Sequence, residues 1–415
     1  MALIKAFKGI RPAINLVEKI AARPYDVLNS TEARVEAKGN PQSFLHITKP
    51  EIDLPQGIDQ YSDAVYQKAK ENYEQFKVDN WLVKEADDSL YIYRIKMDGH
   101  VQTGLVALSS IHDYWEDKVK KHEYTRPNKE ADRIKNMQTI MAQPGPVFLA
   151  YKAQETIDGL IAEYANTNAP LYDFTAEDGV QHVFWNVTDV ALINRITALF
   201  DWEIEATYIA DGHHRAASAS KVGKQLMETN PNHTGKEAYN WFLSVLFPDN
   251  QLSIWDYNRV VKDLNGLSEN DFLEKVKENF TIERVGEAFK PTQAYDFGMY
   301  INKQWYKLTA KEGKYNLTHP VKCLDTYILH ELLFEPILEI ADQRKSMRID
   351  FVGGIRGMKE LERRVDNGEM IAAFSIYPVS MAQLFAVADS GEVMPPKSTW
   401  FEPKLRSGLV VHEIG

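Results

Sequence analysis

The chain has 415 residues, 44% of them hydrophobic, and a formal net charge of −11 at pH 7. This length predicts two or three domains, and the acidic balance argues against a protein that holds nucleic acid through broad positive faces. The single cysteine, Cys323, excludes an internal disulfide bond and a multi-cysteine zinc site. The sequence shows no signal-peptide h-region and no run approaching 18 apolar residues. We therefore expect a cytoplasmic protein with no nucleic-acid and no membrane partner.

Turn-forming residues dominate the first 58 positions, which we interpret as short strands and loops with one helix around Ala33 to Lys38. Apolar residues at helical spacing, from Tyr61 to Phe76, predict a helix over residues 60–77. Asp98-Gly99 joins two strand-like runs, "SLYIYRIKM" and "HVQTGLVALSS", and so predicts a β-hairpin.

The middle of the chain alternates between helical and strand-like patterns. Helices are predicted for "NKEADRIKNMQTIMA" and "TDVALINRITALF", and strands for "GPVFLAY" and "VQHVFWNV". In "WEIEATYIA" alternate residues from Trp202 to Tyr208 share one face, which predicts a strand, and "HRAASASKVGKQLMETN" predicts the helix that follows.

The second half begins with the apolar strand "YNWFLSVLFP" and a helix in "GLSENDFLEKVKENF" with Ser268 as its N-cap. A helix near Pro336, a glycine loop "DFVGGIRG", the strand "MIAAFSIYP" and a helix from Ser380 follow. The three prolines of "VMPPKSTWFEPKLRSG" predict an irregular segment. The mixture predicts an α/β to α+β fold with mixed sheets.

The segment "YIADGHHRAASAS", Tyr208 to Ser220, carries a concentrated set of polar residues where a predicted strand meets a helix. Free N–H groups and the positive end of the helix favour phosphate there, Arg215 can bind it bidentately, and Asp211 could hold magnesium beside it. An ordinary polar turn with Asp211 capping the helix is the alternative. Zinc is disfavoured because adjacent histidines on a helix point about 100° apart.

After a strand, "DGHHR" resembles the signature of the ParB/sulfiredoxin-like fold, whose members bind nucleotide phosphates at this turn. Sulfiredoxins carry a catalytic cysteine where this chain has His213, and ParB partition proteins need basic DNA-binding faces. The branch that remains is the free-serine kinases. The blocks "RPYDV", "NPQSFLHITKPEIDLP", "IADGHHR", "RIDFVGG" and "MPPKSTWFEPKLRSG" resemble a large bacterial family of unknown function nearly end to end.

The resemblance implies a ParB/sulfiredoxin-like mixed-sheet core in residues 1–250, with a hairpin and helical insertion at about residues 60–200. A second α+β domain, residues 251–415, would contribute its final loop to the site.

Glu32 is the position that we match to the general base of the serine kinases, with Arg34 beside it in the substrate site. A base must lie within hydrogen-bond reach of the substrate hydroxyl. The alternative is a glutamate stabilised in the first turn of a short helix. Glu36, one turn further on, is the competing base.

Two further clusters are candidates for binding. "KHEYTRPNKEADR" could bind the carboxylate and ammonium of an amino acid, or it could be a charged helix start with Asn128 as N-cap; its substrate-binding candidates are His122, Thr125 and Arg126. The proline-rich tail could bind phosphate or form a structural clasp; its candidates are Lys397, Ser398, Thr399, Lys404 and Arg406. Asp350 and Arg356 of the glycine loop could line the same cleft.

The resemblance implies a phosphotransferase that moves a phosphoryl group to or from the hydroxyl of L-serine. Glu32, Asp211 and His214 would be catalytic, and Gly212, His213 and Arg215 would bind phosphate, with Mg²⁺ bridging the phosphates. The phosphoryl donor could be ATP, ADP or pyrophosphate. The reaction could also run in reverse, on phosphoserine, and the protein could form a homodimer. Two alternative hypotheses are a non-catalytic nucleotide-binding regulator of ParB-like type and a phosphate-ester hydrolase such as a phosphoserine phosphatase.

Overall fold

The computed structural model describes residues 1–415, which divide into two compact units. The first unit comprises Met1–Leu252 and Pro403–Gly415, and the second comprises Ser253–Glu402. The boundary predicted at residue 250 lies beside the end of the first stretch. The last stretch, Pro403–Gly415, differs from expectation because it belongs to the first unit and not to a C-terminal domain.

The first unit contains thirteen strands and nine α-helices, numbered here in chain order. The strands are β1 (Ile4–Lys5), β2 (Ile10–Pro12), β3 (Leu82–Lys84), β4 (Leu90–Met97), β5 (His100–Ser110), β6 (Val119–Lys120), β7 (Ala142–Gln143), β8 (Val147–Tyr151), β9 (Tyr172–Thr175), β10 (Gln181–Val187), β11 (Thr207–Asp211), β12 (Trp241–Pro248) and β21 (His412–Glu413). The helices are α1 (Val17–Ile20), α2 (Ser30–Glu36), α3 (Leu45–Thr48), α4 (Asp63–Val78), α5 (Ile111–Trp115), α6 (Pro127–Ile140), α7 (Glu155–Thr167), α8 (Val190–Glu203) and α9 (His213–Thr229).

A mixed nine-stranded sheet forms the core of the first unit. The strand order is β6-β11-β8-β12-β5-β4-β10-β9, and β1 pairs with β5. The pairs β11–β6 and β12–β8 are parallel, and the other pairs are antiparallel. The predicted hairpin is confirmed: Asp98 and Gly99 have φ values of 49° and 82° between β4 and β5, as a two-residue I′ turn requires. The hairpin lies in the middle of this sheet; the insertion at about residues 60–200 stays a prediction.

Two local predictions at the helix ends differ from the structure. Trp202 lies in the last turn of helix α8 with 70% of its surface exposed, because the N-cap Asp189 starts a helix that runs on to Glu203. The strand therefore begins only at Thr207. Helix α6 begins at Pro127 with Arg126 at the N-cap position, not Asn128, since proline is well suited to the first helical position.

The second unit contains eight strands and four α-helices. They are β13 (Ser253–Trp255), β14 (Tyr257–Val261), β15 (Phe280–Val285), β16 (Asp296–Ile301), β17 (Gln304–Ala310), β18 (Ile349–Gly353), β19 (Ala372–Ile376), β20 (Trp400–Glu402), α10 (Glu269–Asn279), α11 (Asp325–Leu329), α12 (Gly357–Asp366) and α13 (Met381–Asp389). A six-stranded antiparallel sheet has the order β15-β17-β16-β19-β14-β18. The predicted fold class is therefore confirmed, with a large mixed sheet and a second α+β part.

The helix start predicted at Ser268 is confirmed, because its hydroxyl accepts the N–H of Asp271. The proline-rich tail is more regular than predicted: β20 pairs with β13. A three-residue strand fits between Pro396 and Pro403, where no proline interrupts the hydrogen bonding. No helix of the structure combines the length and apolar character needed to cross a bilayer.

Candidate functional site

The predicted turn between β11 and α9 depends on a glycine. Gly212 occupies the N-cap position with φ = 97°, and no side chain caps this end of the helix. A Cβ there would lie 3.0 Å from the guanidinium of Arg215. The first N–H groups of α9 therefore remain available to an anion, and the alternative in which Asp211 caps the helix is wrong.

The carboxylate of Asp211 is placed between two cations. Its Oδ2 is 2.9 Å from Nζ of Lys404, and its Oδ1 is 3.5 Å from an Nη of Arg215. Burial acts to raise the pKa of Asp211, but Lys404 and Arg215 outweigh it and hold that pKa well below the usual range. Arg215 also lies 3.7 Å from Oδ2 of Asp26, a residue of the "RPYDV" block that sequence reasoning did not select.

This arrangement does not fit a magnesium ligand at Asp211. Both of its oxygens face cations, and the structure contains no group of three or more His, Cys, Asp or Glu side chains arranged to hold a metal.

Two buried histidines meet beside the turn. The rings of His122 and His213 are 4.5 Å apart at an angle of 84°, and their residues are 2% and 5% exposed. Burial lowers the pKa of each to about 3, so both are neutral near pH 7. Neither ring nitrogen of His122 has a hydrogen-bond partner, and buried polar atoms without partners are uncommon. His122 therefore has unused hydrogen-bonding capacity beside the N-terminus of α9.

The loop from His122 to Arg126 is attached to the first turn of α9. The backbone N–H of Arg126 donates to Nε2 of His214 at 2.9 Å, and that of His122 donates to Nε2 of His213 at 3.5 Å. Since each Nε2 accepts, each proton is assigned to Nδ1. The hydroxyl of Thr125 donates to Glu130 at 2.8 Å, so it serves the start of α6.

The structure shows Glu32 and Arg34 in hydrogen bonds with residues 29 to 54. Glu32 is exposed, and its Oε2 accepts the N–H of Asn29 at 2.9 Å while the Asn29 side chain accepts the N–H of Glu32. This is a capping box. Arg34 donates to the carbonyls of Glu51 and Leu54 at 2.5 and 2.9 Å. The catalytic role of Glu32 stays a prediction.

Of the tail candidates that belong to the first unit, Lys404 contacts the turn. Arg406 is 8% exposed; its Nε donates to Nε2 of His182 at 3.2 Å and its guanidinium pairs with Asp178. Its bonds to the buried His182 and the exposed Asp178 indicate a structural role.

The other tail candidates, Lys397, Ser398 and Thr399, lie in the second unit. Lys397 is 5.4 Å from the centre of the Tyr257 ring. The hydroxyl of Ser398 donates to the carbonyl of Pro395 at 2.7 Å and lies 3.1 Å from that of Thr326. In the glycine loop, Asp350 pairs with Arg364. Phosphate binding by these residues stays a prediction.

Comparison with known proteins assigns the family. The family model described as "Protein of unknown function (DUF1015)" matches residues 4–327. The chain belongs to the DUF1015 family. A search of curated proteins gave no match.

Solved structures similar to this DUF1015 chain include a free serine kinase in complex with AMP, with 15% identity, coverage of 71% of this chain and 88% of that chain, and a TM-score of 0.36. A conserved hypothetical protein from Pyrococcus furiosus has 15% identity, 71% and 92% coverage, and a TM-score of 0.36. SbnI with a C-terminal truncation from Staphylococcus aureus has 11% identity, 74% and 87% coverage, and a TM-score of 0.38. TM-scores below 0.5 do not establish a shared activity.

The DUF1015 turn thus combines three kinds of group that stabilise a polyoxygen anion. These are an uncapped helix N-terminus, the cations Arg215 and Lys404, and neutral histidines with N–H groups. Such a set suits phosphate better than a metal ion.

Proposed function

We propose that this DUF1015 protein is a phosphotransferase that moves a phosphoryl group between a nucleotide or pyrophosphate and the hydroxyl of L-serine, in either direction. The observation that carries the proposal is the uncapped N-terminus of α9 beside His122, a buried imidazole with two unpartnered nitrogens. The serine acceptor and a relationship to the ParB/sulfiredoxin-like fold rest on the resemblance of the "DGHHR" segment. The single cysteine favours a cytoplasmic location.

Phosphoryl transfer requires mainly positioning and neutralisation of charge on the transferred group. The N–H groups of the first turn of α9, with Arg215 and Lys404, would bind the phosphoryl oxygens. Asp211 stays ionised and keeps both cations at the turn. His214 accepts at Nε2, so its Nδ1–H is the proton that would be donated to a phosphoryl oxygen.

Glu32 is the proposed general base. Its capping bond uses Oε2, so Oε1 is the oxygen that would accept the serine proton. Magnesium would enter bound to the donor phosphates, because Asp211 does not fit as its ligand.

Product formation tests this proposal. Purified protein with Mg²⁺ and L-serine is incubated in parallel with ATP, ADP and pyrophosphate, and phosphoserine is measured. We expect product with at least one donor and a loss of about 100-fold or more in Arg215→Met, the scale of loss for a group that stabilises transition-state charge. No phosphoserine with any donor, and no serine from phosphoserine, would overturn it.

A further inference from the structure

Arg259 is a fully buried arginine of the second unit that has no carboxylate partner. It lies on β14 with none of its surface exposed. Burial lowers its pKa to about 9, and only Tyr257 acts to raise it, so Arg259 is still charged at pH 7. Arginine is almost never fully buried unless it is paired, because an unpaired charge is costly to take out of water.

The guanidinium of Arg259 also has unused donors. One Nη donates to the carbonyl of Tyr257, and the other donates to that of Pro396 at 3.0 Å. The ring of Phe351 is centred 5.3 Å from the guanidinium carbon. The buried Nε–H has no partner, although every N–H of a guanidinium can donate a hydrogen bond. The protein therefore gives this cation two neutral carbonyls and an aromatic face, but no negative charge.

The segment packed over this face of β14 adds a second unused polar atom. Alternate residues of a strand share one face, and Val261, two residues from Arg259, belongs to the same hydrophobic cluster as Leu329 and Leu333. His330 lies between these leucines in the chain, and its Nδ1 is buried without a partner. Burial is the main cause that lowers the pKa of His330, and the charge of Arg259 lowers it further. His330 and Arg259 are therefore close enough to interact.

Lys397 brings a second positive charge to this part of the second unit. Its side chain is exposed, and its Nζ lies 5.4 Å from the centre of the Tyr257 ring. Tyr257 is two residues from Arg259 on the same face of β14, and Lys397 directly follows Pro396, whose carbonyl binds Arg259. Lys397 forms no ion pair. Two cations without carboxylate partners thus lie at one end of β14.

We infer that Arg259 and Lys397 form a phosphate-binding site of the second unit, which does not depend on the proposed phosphotransfer. A phosphate group carries nearly two negative charges at pH 7, which matches the two cations. A guanidinium binds phosphate bidentately, so Nε–H and one Nη–H of Arg259 would donate to two of its oxygens. Because the guanidinium is covered, the phosphate would take the place of the Pro396 carbonyl.

Other occupants fit these charges less well. Water would satisfy the Nε–H of Arg259 but would leave its charge uncompensated, and the cost of burying that charge would remain. A carboxylate would compensate only one of the two cations.

Variants of the full chain test this site. Arg259→Met removes the buried charge but keeps a long side chain, so the variant is expected to fold. Lys397→Met changes only an exposed residue, and it keeps the test valid if Arg259→Met does not fold. Lys275→Met, at an exposed position of α10, is the matched control. Every variant is made in the Arg215→Met background, which weakens the phosphate site proposed at α9.

Binding of inorganic phosphate is measured by calorimetry at constant ionic strength, because salt screens exposed charges. We expect Lys397→Met to raise the Kd for phosphate about 10-fold, the effect of one lost charge-assisted bond, and Arg259→Met to abolish binding. Lys275→Met should leave Kd unchanged. Acetate, with a single charge, should bind about 10-fold more weakly than phosphate for the same reason.

Phosphate binding that is unchanged in either Arg259→Met or Lys397→Met would overturn the inference and leave Arg259 as a structural clamp of the proline-rich tail. Acetate binding as tight as that of phosphate would overturn it too. Methyl phosphate distinguishes the two sources of a phosphate group, and either result supports the site. Equal binding of methyl phosphate would identify phosphate esters as ligands, and binding of inorganic phosphate alone would identify the free ion.

Discussion

Nζ of Lys404 lies 2.9 Å from Oδ2 of Asp211, although the two residues are 193 positions apart. The last stretch of the first unit thus supplies a cation to the turn between β11 and α9. The pair keeps Asp211 ionised and keeps positive charge beside the first turn of the helix.

Lys404→Met should destabilise the protein by about 1 kcal/mol, because it removes one of the two cations that compensate the partly buried carboxylate of Asp211. It should also raise Kd for pyrophosphate about 10-fold, the effect of one lost charge-assisted bond. Urea unfolding and calorimetry measure the two effects. Lys224→Met, at an exposed position of the same helix α9, is the control; an equal effect in that variant would contradict the role of Lys404.

Gly212→Ala should lose phosphotransfer activity, although its unfolding free energy should fall only slightly. Its φ of 97° strains any other residue, and its Cβ would meet the guanidinium of Arg215 at 3.0 Å. Gly235→Ala is the matched control, because Gly235 has φ = 83° with nothing within 4 Å of its added Cβ. Both variants should lose about 1 kcal/mol of unfolding free energy, but only Gly212→Ala should lose activity. Full activity in Gly212→Ala would show that the turn is not the site.

His122→Phe should make the protein more stable and less active. The substitution removes two buried nitrogens without partners and keeps a ring against His213, so at pH 7 we expect a gain of about 1–2 kcal/mol. Phosphotransfer should fall because that hydrogen-bonding capacity is lost. Thermal unfolding and product assays measure both. A destabilised variant with normal turnover would indicate a purely structural His122.

Stability should fall as the pH drops below about 6.5. Burial lowers the folded-state pKa of His122 and His213 to about 3, whereas the unfolded chain binds protons near pH 6.5. The unfolded state therefore takes up more protons in acid, and each histidine costs about 2 kcal/mol at pH 5. Urea unfolding at pH 7 and pH 5 measures the loss, which His122→Phe should reduce. Equal stability at the two pH values would contradict the assigned burial.

Substitution can separate the helix-capping role of Glu32 from its proposed role as the general base. Glu32→Gln can keep the capping box, so unfolding free energy should change little, but phosphotransfer should fall by about 100-fold or more if its carboxylate is the base. Glu36→Gln tests the competing base. Normal turnover in Glu32→Gln would leave Glu32 as a helix-capping residue only.

Local patterns predicted local structure well. Asp98-Gly99 encodes its own turn, Ser268 caps its own helix, and Gly212 marks a strand-to-helix turn, since each depends on residues nearby. The pairing of Lys404 with Asp211 was not predictable, because it depends on the return of the chain after residue 402. Both residues were candidates, but for separate reasons.

Sequence patterns also could not show that neighbouring candidate residues of the tail have different partners in the folded protein. Arg406 is two residues from Lys404, but it pairs with Asp178 and His182. The composition of the tail could not distinguish a cation at the turn from one in a structural network.

The most direct measurement of the central claim is ³¹P NMR of the protein with L-serine, Mg²⁺ and, in parallel, ATP, ADP or pyrophosphate as donor. We predict that a phosphoserine signal grows with at least one donor, and only when L-serine is present, as the matching ADP, AMP or inorganic phosphate signal grows. Release of inorganic phosphate from the donor with no phosphoserine would contradict transfer and indicate a hydrolase. Unchanged donor signals and no phosphoserine would contradict catalysis and indicate a binding protein.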